Sequence, residues 1–263
     1  MPKEFGPHLL GRLPSPPDPR DFKLEKFLGQ DPLDTALALL TASSGVAPAT
    51  KKWAAVVTEY LKQLPAPSNP KPPAPADNKD VIYTDVRNVL DQGDTGHCVG
   101  FGWAQFGNTD PVEDSYVDSD GHAIYYECKV IDGEPGAENG SYVRSGAKAM
   151  QNRNRISAYA FASSVKDIRT FIRTYGPVVV GTDWMNDMFT PDANGFLKPT
   201  GGVAGGHCYN LVGDLPSEKA FLMLNSWGSS WGDNGHAKIT WQDFTKLLKA
   251  QGEACATLEL ALA

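Results

Sequence analysis

A proline-rich run between residues 65 and 80 limits the possible folds of this chain more than any other feature of its sequence. The run reads PAPSNPKPPAPADNKD and contains six prolines. Each proline lacks a backbone N–H and disfavours helical geometry at the preceding residue, so neither a helix nor an inner strand continues through the run. We therefore predict a stiff, exposed linker and a boundary near residue 80.

Residues 1–80, including this linker, are interpreted as an N-terminal extension. Residues 11–22 (GRLPSPPDPRDF) are expected to be extended and irregular, and helices are expected at 34–43 and 49–64. Apolar residues in the second helix recur at three- and four-residue steps, which predicts a stripe that packs on the protein. We expect the extension to be a permanent part of the fold. The alternative is a removable inhibitory segment.

Residues 81–263 have the pattern of an α+β protein. Helical patterns begin at Cys98 and cover 145–153. Apolar strand patterns follow at 178–184, 207–214, 220–227 and 236–241. Helices first and strands afterwards indicate two lobes with a cleft between them, a helical lobe at about 81–158 and a strand lobe at about 159–263.

The composition argues against several function classes. The net charge is −7, whereas binding to nucleic acid requires clustered Lys and Arg, so no nucleic-acid partner is expected. No apolar run approaches the roughly 18 residues of a membrane span. Prolines and charges interrupt the N-terminus, so no secretory signal peptide is expected.

Four cysteines are too few for a disulfide framework in a chain of 263 residues. They are Cys98, Cys128, Cys208 and Cys255. We expect free thiols in a reducing compartment, which makes a cytoplasmic or phage-associated protein the expectation. The compartment itself and the oligomeric state stay open.

Residues 92–101, QGDTGHCVGF, place Cys98 at a predicted helix start. A structural cysteine is the ordinary interpretation, because a free thiol packs like a small apolar side chain. A catalytic thiol also needs a base within reach and hydrogen-bond donors for an oxyanion. Gln92 carries a side-chain amide that would supply one donor, although a glutamine in such a turn is more often a surface residue.

The chain offers five histidines as a base for the thiol. His8 lies in the irregular N-terminus, and His122 lies beside a predicted exposed turn. His97 is adjacent to Cys98, but adjacent helical residues point about 100° apart, so His97 is poorly placed. The remaining candidates are His207 and His236.

His207 begins an apolar strand, and a second strand ends near Asn225. The intervening DLPSEK is a turn signal. A hairpin centred on Pro216 places His207 directly opposite Asn225, close enough for the amide to orient the imidazole. A slip of one residue would break this pairing. Taken alone, such a histidine is more often structural.

In combination these segments resemble the papain family of cysteine peptidases. The most specific segment is NSWGSSWGDNGHAKI (225–239), which is similar to the family's stretch around its asparagine. Similar segments are QGDTGHC (92–98), ENGSYVRSGAKAMQ (138–151), YGPVVVG (175–181) and GGHCYNLVGD (205–214). The resemblance covers roughly residues 81–263 in the family's order. SPPDPRDF and AIYYECKVIDGEPG (123–136) are closer in pattern to bacterial and phage members.

The resemblance implies a two-lobed papain-like fold, with the nucleophile on the helical lobe. The histidine and asparagine are expected on an antiparallel, barrel-like β lobe. By position, Cys98 is the nucleophile, His207 the general base and acid, Asn225 its orienting residue, and Gln92 part of the oxyanion hole. The implied substrate-binding residues are Gly140, Ser141, Gly181, Trp184 and Trp227, of which Trp227 also covers the bond between His207 and Asn225.

Three positions depart from the family's local signature around the nucleophile, C-G-[SA]-C-[WY]. Thr95 replaces the first cysteine, His97 the small residue, and Val99 the aromatic residue. Thr95 removes a disulfide partner, which agrees with a reducing compartment. None of the three departures removes a catalytic group.

The resemblance predicts a cysteine-type peptidase that hydrolyses peptide or isopeptide bonds through a thioester on Cys98. A polypeptide substrate is expected in the cleft between the lobes. No cofactor and no metal are expected, because no cluster of His, Cys and acidic residues has ligand spacing. The alternatives are a phage or bacterial cell-wall amide hydrolase with the same groups, and a non-catalytic structural or binding member of the fold.

Overall fold

The structure is a computed structural model that describes residues 8–19, 21–26, 28, 77–83, 88–112 and 114–259. The helices predicted at 34–43 and 49–64 and the prolines of the predicted linker lie outside the described residues.

Three helices follow one another in the first part of the body. Helix α1 spans Cys98–Gly107, α2 spans Asp118–Ile131 and α3 spans Val143–Asn152. Every residue of α1 is buried, as expected for a helix that is apolar on all sides. Its aromatic residues form a core with apolar residues of α2 and α3. Because α1 is the centre of this core, the residue at its first position is held firmly.

Helix α2 is absent from the sequence analysis, which placed His122 beside an exposed turn. The segment DSDG is a turn signal, but here it forms the first turn of a helix. The Asp120 carboxylate accepts a hydrogen bond from the Val117 N–H at 2.8 Å. Acidic residues at a helix N-terminus also interact favourably with the helix dipole. The sequence pattern interpreted as an exposed turn therefore forms the start of a helix.

Most of the second part is an antiparallel sheet. In chain order the strands are β1 (Arg12–Leu13), β2 (Val81–Ile82), β3 (Ser141–Tyr142), β4 (Ile156–Phe161), β5 (Val178–Met185), β6 (Val203–Leu215), β7 (Ala220–Leu224), β8 (His236–Thr240) and β9 (Glu253–Glu259). The main sheet has the order β4-β9-β5-β6-β7-β8, and β2 pairs with β6. In the described part of the chain, edge strands β4 and β8 do not pair with each other, so the sheet is open rather than barrel-like.

The sheet lies between two groups of helices. Helices α4 (Val165–Ile172) and α5 (Trp241–Lys249) pack on one face, where they share a core with Val178 and Val180 of β5. Val179 belongs instead to the core around α1. Successive residues of a strand point to opposite faces, so α1 packs on the other face. The four predicted strand patterns correspond to β5 to β8. The sequence analysis missed or only partly predicted four further elements, namely α4, α5, β4 and β9.

Strands β6 and β7 form the predicted hairpin in a different register. Leu215 pairs with Ala220, so the turn is centred after Ser217 and not on Pro216. A bulge between Leu211 and Gly213 then moves the register of the remaining pairs by one residue, back towards the predicted one. The predicted register is therefore wrong, because neither the four-residue loop nor the bulge has a clear signal in the sequence.

The shift in register changes the neighbours of His207 and Asn225. Strand β7 ends at Leu224, so Asn225 lies just beyond the ladder. The backbone partner of His207 is Thr182 of β5. Asn225 donates its own N–H to the Gly235 carbonyl at 2.9 Å, which holds it at the end of the strand. Because Asn225 is not paired with His207 in the sheet, any contact with the imidazole must be made by the Asn225 side chain.

Candidate active site

Cys98 is the first residue of α1, a position where the helix dipole favours negative charge. Its side chain is fully buried. The sulfur faces the backbone N–H groups of Gly11, Cys208 and Val99. Burial raises the pKa of the Cys98 thiol to about 11, although these three donors lower it in part. In this state Cys98 is a protonated thiol with hydrogen-bond donors already directed at it.

His207 immediately precedes Cys208, whose N–H faces the Cys98 sulfur. The His207 Nε2 lies 2.8 Å from Asn225 Oδ1, which also accepts the Ser226 N–H at 2.9 Å. Because an amide oxygen only accepts, Nε2 carries the proton and Nδ1 keeps its lone pair. Burial lowers the pKa of His207 to about 4, opposed by the hydrogen bond to Asn225. The imidazole is therefore neutral and able to take a proton at Nδ1.

The contact between His207 and Asn225 that the sequence analysis expected is present, although the register is different. It forms because Asn225 follows the end of β7 and its side chain reaches across to β6. The His207 Nδ1 is buried without a hydrogen-bond partner in the described structure. Cys98 on α1 thus lies beside the peptide group that follows His207 on β6, and Asn225 holds the neutral imidazole.

Two buried tryptophans enclose the imidazole. The ring centroids of Trp227 and Trp184 each lie 4.8 Å from that of His207. These rings exclude water from the bond between His207 and Asn225, which strengthens that bond. Trp184 is three residues after Gly181 on β5, so their side-chain positions are on opposite faces of the strand. We therefore assign Trp184 to the wall behind His207, apart from the substrate pocket suggested for it by the sequence.

Gln92 is buried in the loop that precedes α1. Its Oε1 accepts the Ser226 hydroxyl at 2.8 Å, which directs the amide Nε2 into the cleft. The Nε2 donates to the Thr95 carbonyl at 2.7 Å and to the Leu9 carbonyl at 3.1 Å. Leu9 belongs to the N-terminal extension. One proton of the amide thus already binds a peptide carbonyl that reaches the cleft from another part of the chain.

Residues 8–13 lie along this cleft, which the sequence analysis did not anticipate. The His8 ring stacks on Trp227 with a centroid distance of 4.4 Å. Further along, the Gly11 carbonyl accepts the Ser141 N–H at 2.8 Å, and β1 pairs with β3 in parallel. No local pattern marks residues 8–13 as a cleft-binding strand, because the contacts are made with residues more than eighty positions away.

The loop that supplies Ser141 is held by a buried lysine. Lys129 Nζ donates to Glu134 at 2.8 Å, to Asn139 at 2.8 Å and to the Gly140 carbonyl at 2.9 Å. Gly140 has a φ of +88°, and a Cβ there would lie 2.3 Å from the Gly11 carbonyl oxygen. Only glycine fits this conformation and this contact. Of the two predicted backbone donors, Ser141 contacts the N-terminal strand, whereas the Gly140 N–H donates to Tyr125.

Replacing Lys129 with methionine is expected to lower the free energy of unfolding by about 3–5 kcal/mol. The substitution keeps most of the volume but leaves Asp132, whose carboxylate is 1% exposed and 3.6 Å from Nζ, without its cation. Urea unfolding of the full chain measures the effect. Lys246→Met is the matched control, because Lys246 pairs with Asp243 at the surface and is expected to contribute less than 1 kcal/mol. Equal effects of the two substitutions would contradict the prediction.

His97, the residue before the nucleophile, faces away from the thiol. Its Nε2 lies 2.5 Å from Glu138, and its Nδ1 lies 2.8 Å from His122. The ring also stacks on Tyr125 at 3.8 Å. His97 thus links the start of α1 to the loop that ends in Ser141, which is a structural task. His236, the other candidate base, binds the Asn234 carbonyl instead.

Several other sequence predictions concern the whole chain. All four cysteines carry free thiols and are buried. Within the described ranges, His, Cys and acidic side chains form no group of three or more that is suited to a metal ion. The helices described here are all too short or too polar to cross a membrane.

A sequence model described as papain family cysteine protease matches residues 112–255, more than half of the chain. The chain belongs to the papain family. The matched span includes His207 and Asn225 and begins after Cys98. The contact of the Cys98 sulfur with the Cys208 N–H therefore joins the helix outside this span to the papain-family strands within it.

Curated papain-family relatives match part of the chain. A gut-specific cysteine proteinase of Caenorhabditis elegans is 29% identical over 97 residues, 36% of this chain and 30% of that protein. Cathepsin B-like protease 1 of Arabidopsis thaliana is 32% identical over 87 residues, 32% of this chain and 23% of that protein. The chain thus spans less than a third of the length of these curated relatives.

A solved structure is similar over nearly the whole chain. Xylellain, a cysteine protease from Xylella fastidiosa, has a TM-score of 0.62 and 16% identity to this chain. The likeness covers 95% of this chain and 96% of that one. At this identity it concerns the fold alone. It confirms the predicted papain-like α+β fold, with the correction that the sheet is open.

Proposed function

We propose that this papain-family chain is a cysteine peptidase that hydrolyses peptide bonds through a thioester on Cys98. The thiol proton passes to Nδ1 of His207, and the sulfur attacks the carbonyl carbon. The same imidazole then donates its proton to the leaving amine, whose bond to the carbonyl breaks. Water, deprotonated by His207, attacks the thioester and releases the acid and the thiol.

The observation that carries this proposal is the position of the Cys98 sulfur beside the peptide group that follows His207, whose ring Asn225 holds. The Cys98 sulfur faces the peptide N–H that follows His207, and Asn225 fixes the tautomer with Nδ1 unprotonated. Gln92 supports an oxyanion hole, because its amide already donates to a carbonyl in the cleft. A structural thiol needs none of these arrangements.

A polypeptide substrate is supported by the way in which the cleft holds residues 8–13. An extended backbone lies in it, with one carbonyl on the Ser141 N–H and another on the Gln92 amide. This is recognition by strand addition, in which backbone hydrogen bonds hold the peptide. The same contacts favour a polypeptide over the short cross-link of a cell-wall amide.

We further propose that residues 8–13 keep the peptidase inactive in the intact chain. The Gly11 N–H faces the Cys98 sulfur. In a trans peptide the Leu10 carbonyl then points away from the sulfur, so that peptide group is not presented for attack. The thiol is buried, and burial raises its pKa to about 11, so the neutral thiol predominates at neutral pH. An inhibitory role of this strand is compatible with a permanent extension, since Leu24 is part of the sheet core.

Treatment of the folded full chain with an epoxysuccinyl inhibitor is expected to add one inhibitor to Cys98, slowly, as the cleft opens. Peptide mapping by mass spectrometry locates the adduct. Cys128, Cys208 and Cys255 are expected to stay unmodified because each is buried and burial raises the pKa of its thiol. The Cys98→Ala chain is the control and should take up no inhibitor.

The same labelling experiment on the Gly11→Ala chain distinguishes a Cys98 that reacts slowly with the inhibitor from one that does not react at all. A Cβ on residue 11 would lie 1.8 Å from the Gly96 carbonyl oxygen, which forces the strand out of the cleft. Failure of both the native and the Gly11→Ala chains to react at Cys98 would overturn the peptidase proposal and favour a non-catalytic member of the family.

A further inference from the structure

We infer that His97 and His122 hold residues 137–140, the loop before Ser141, in the conformation that binds substrate, and that protonation of both histidines releases this loop. The inference rests on the proposed peptidase function and adds a dependence on pH to it. His97 is one of the three departures from the family's signature around the nucleophile. His122 lies on α2, a helix that the sequence analysis did not predict.

The two imidazoles share one proton. Their Nδ1 atoms lie 2.8 Å apart, which is a hydrogen-bond distance, so one of the two nitrogens donates and the other accepts. The second nitrogen of His97, Nε2, lies 2.5 Å from the Glu138 carboxylate and therefore carries a proton of its own. The Nδ1 contact forms when the two rings together carry one positive charge or none. A second positive charge puts protons on both Nδ1 atoms, and the contact is lost.

The neighbouring charges set the pH at which the second proton enters. Burial and the charge of His97 lower the pKa of His122, and the carboxylates of Asp118 and Glu138 oppose this shift. The hydrogen bond from His97 lowers the pKa of Glu138, whose carboxylate stays charged in this range. Two hydroxyls also face the rings and stay neutral, because burial raises the pKa of one and a bond to Glu138 raises the pKa of the other. They belong to Tyr125 and Tyr126. The Nδ1 contact is therefore present at neutral pH and is lost only below the ordinary pKa of histidine.

His97 reaches the loop through Tyr125 as well as through Glu138. The Tyr125 ring stacks on the His97 ring with a centroid distance of 3.8 Å. The Tyr125 hydroxyl donates to the Ala137 carbonyl at 3.0 Å and accepts the Gly140 N–H at 3.1 Å, so it holds both ends of the loop. The position of this tyrosine therefore fixes the conformation of the loop.

Loss of the Nδ1 contact is transmitted to the loop because the His97 side chain is buried. Its side chain is 3% exposed, so an Nδ1–H without an acceptor costs free energy there, and the two charged rings repel each other. The ring relieves both costs by tilting out of its stack on Tyr125, which withdraws the tyrosine hydroxyl from the loop. Ser141 directly follows the loop, and its N–H binds the extended backbone in the cleft. The affinity for a peptide then falls, while Cys98, which the core around α1 holds, keeps its position.

An NMR titration of the full native chain tests this link without any need for activity. We expect the ring signals of His97 and His122 to titrate in two steps, and the backbone amide signals of 137–141 to shift with the step at lower pH. His122→Asn keeps an amide group near His97 Nδ1 but takes up no proton, so this shift should vanish. Loop signals that do not change in the second step, or that shift equally in His122→Asn, overturn the inference.

Two further variants separate the histidine pair from general effects of pH. Glu138→Gln keeps a hydrogen-bond acceptor for His97 but removes the negative charge, so the loop signals should shift at lower pH than in the native chain. A midpoint equal to or above the native one contradicts the inference. His236→Asn is the matched control, because it removes another histidine, which binds the Asn234 carbonyl away from the cleft. It should leave the titration of the loop unchanged.

The consequence for substrate binding is measured with peptidyl coumarin amides on the full chain that carries Gly11→Ala. We expect the ratio of KM at about pH 5 to KM at about pH 7.5 to be about 3- to 10-fold larger than in the same chain with His122→Asn. The corresponding ratio of kcat should be equal in the two chains, because the titration of Cys98 and His207 is common to both.

An equal KM ratio in the two chains overturns the inference and leaves the peptidase proposal intact. Absence of hydrolysis in both chains counts against the peptidase proposal. The NMR titration then decides by itself whether the histidine pair controls the loop.

Discussion

Replacing His207 with alanine in the Gly11→Ala chain is expected to lower kcat for peptide hydrolysis by at least about 10³-fold. Without the imidazole no group beside Cys98 accepts the thiol proton, and no group protonates the leaving amine. The thiol would then react only through its small thiolate fraction. Steady-state kinetics on peptidyl coumarin amides measures the effect, and residual labelling of Cys98 shows whether the cleft is still open.

Asn225→Ala is expected to have a smaller effect, about 10- to 100-fold, mainly on kcat. The substitution leaves the buried His207 Nε2–H without its acceptor, so the ring loses the contact that fixes its tautomer and orientation. KM should change little, because Asn225 is fully buried and its side chain binds His207 and the Ser226 N–H.

Asn108→Ala is the control for the loss of a buried asparagine. Asn108 makes two hydrogen bonds to the Tyr116 backbone at the far end of α1, so its loss is expected to reduce stability without changing kcat. An unchanged kcat in folded Asn225→Ala would remove this residue from the site. A kcat loss of equal size in Asn108→Ala would show that the effect is one of stability.

The residues proposed for catalysis could be found from the sequence because they lie in short segments with several simultaneous constraints. Cys98 begins a helix two residues after Gly96, and His207 directly follows two glycines within β6. The predicted contact between His207 and Asn225 is present, but the strand register from which it was predicted is wrong. A bulge in β6 and a four-residue turn move the register, and the contact survives because Asn225 lies beyond the ladder, where its side chain is free to bend back.

The parts that escaped prediction depend on distant contacts. The segment DSDG at the start of α2 has the composition of a turn, and only its hydrogen bonds to Val117 and its packing on α1 make it helical. In the same way, nothing around Arg12 distinguishes it from other arginines in a proline-rich stretch. Its buried side chain pairs with Glu253, which is 241 residues away in sequence.

With residues 8–13 in the cleft, the residues proposed for catalysis are uncharged. A thiol whose pKa is raised to about 11 and an imidazole whose pKa is lowered to about 4 are both neutral, which is the opposite of an activated pair. The same burial that causes both shifts is due in part to residues 8–13. Removal of this strand admits water, so both pKa values should return towards the range in which proton transfer from thiol to imidazole is favourable.

Gly11→Ala in the full chain is therefore expected to raise peptidase activity, and the rate of alkylation of Cys98, by about 10- to 100-fold. Gly11 approaches the Gly96 backbone so closely that a Cβ would lie 1.8 Å from its carbonyl oxygen. Gly96 precedes α1 by two residues and cannot move away without disturbing the buried start of that helix. The strand must leave, and the thiol, the Gln92 amide and Ser141 become accessible to substrate.

Leu9→Ala is the matched control, because the Leu9 side chain is 53% exposed and only its backbone carbonyl contacts Gln92. It shortens a side chain in the same strand without a clash, so activity and labelling should stay near those of the native chain. The unfolding transition of Gly11→Ala should also stay cooperative, since Leu24 anchors the extension independently of the cleft. If Gly11→Ala folds and its Cys98 reacts no faster than in the native chain, residues 8–13 are not what restrains the enzyme.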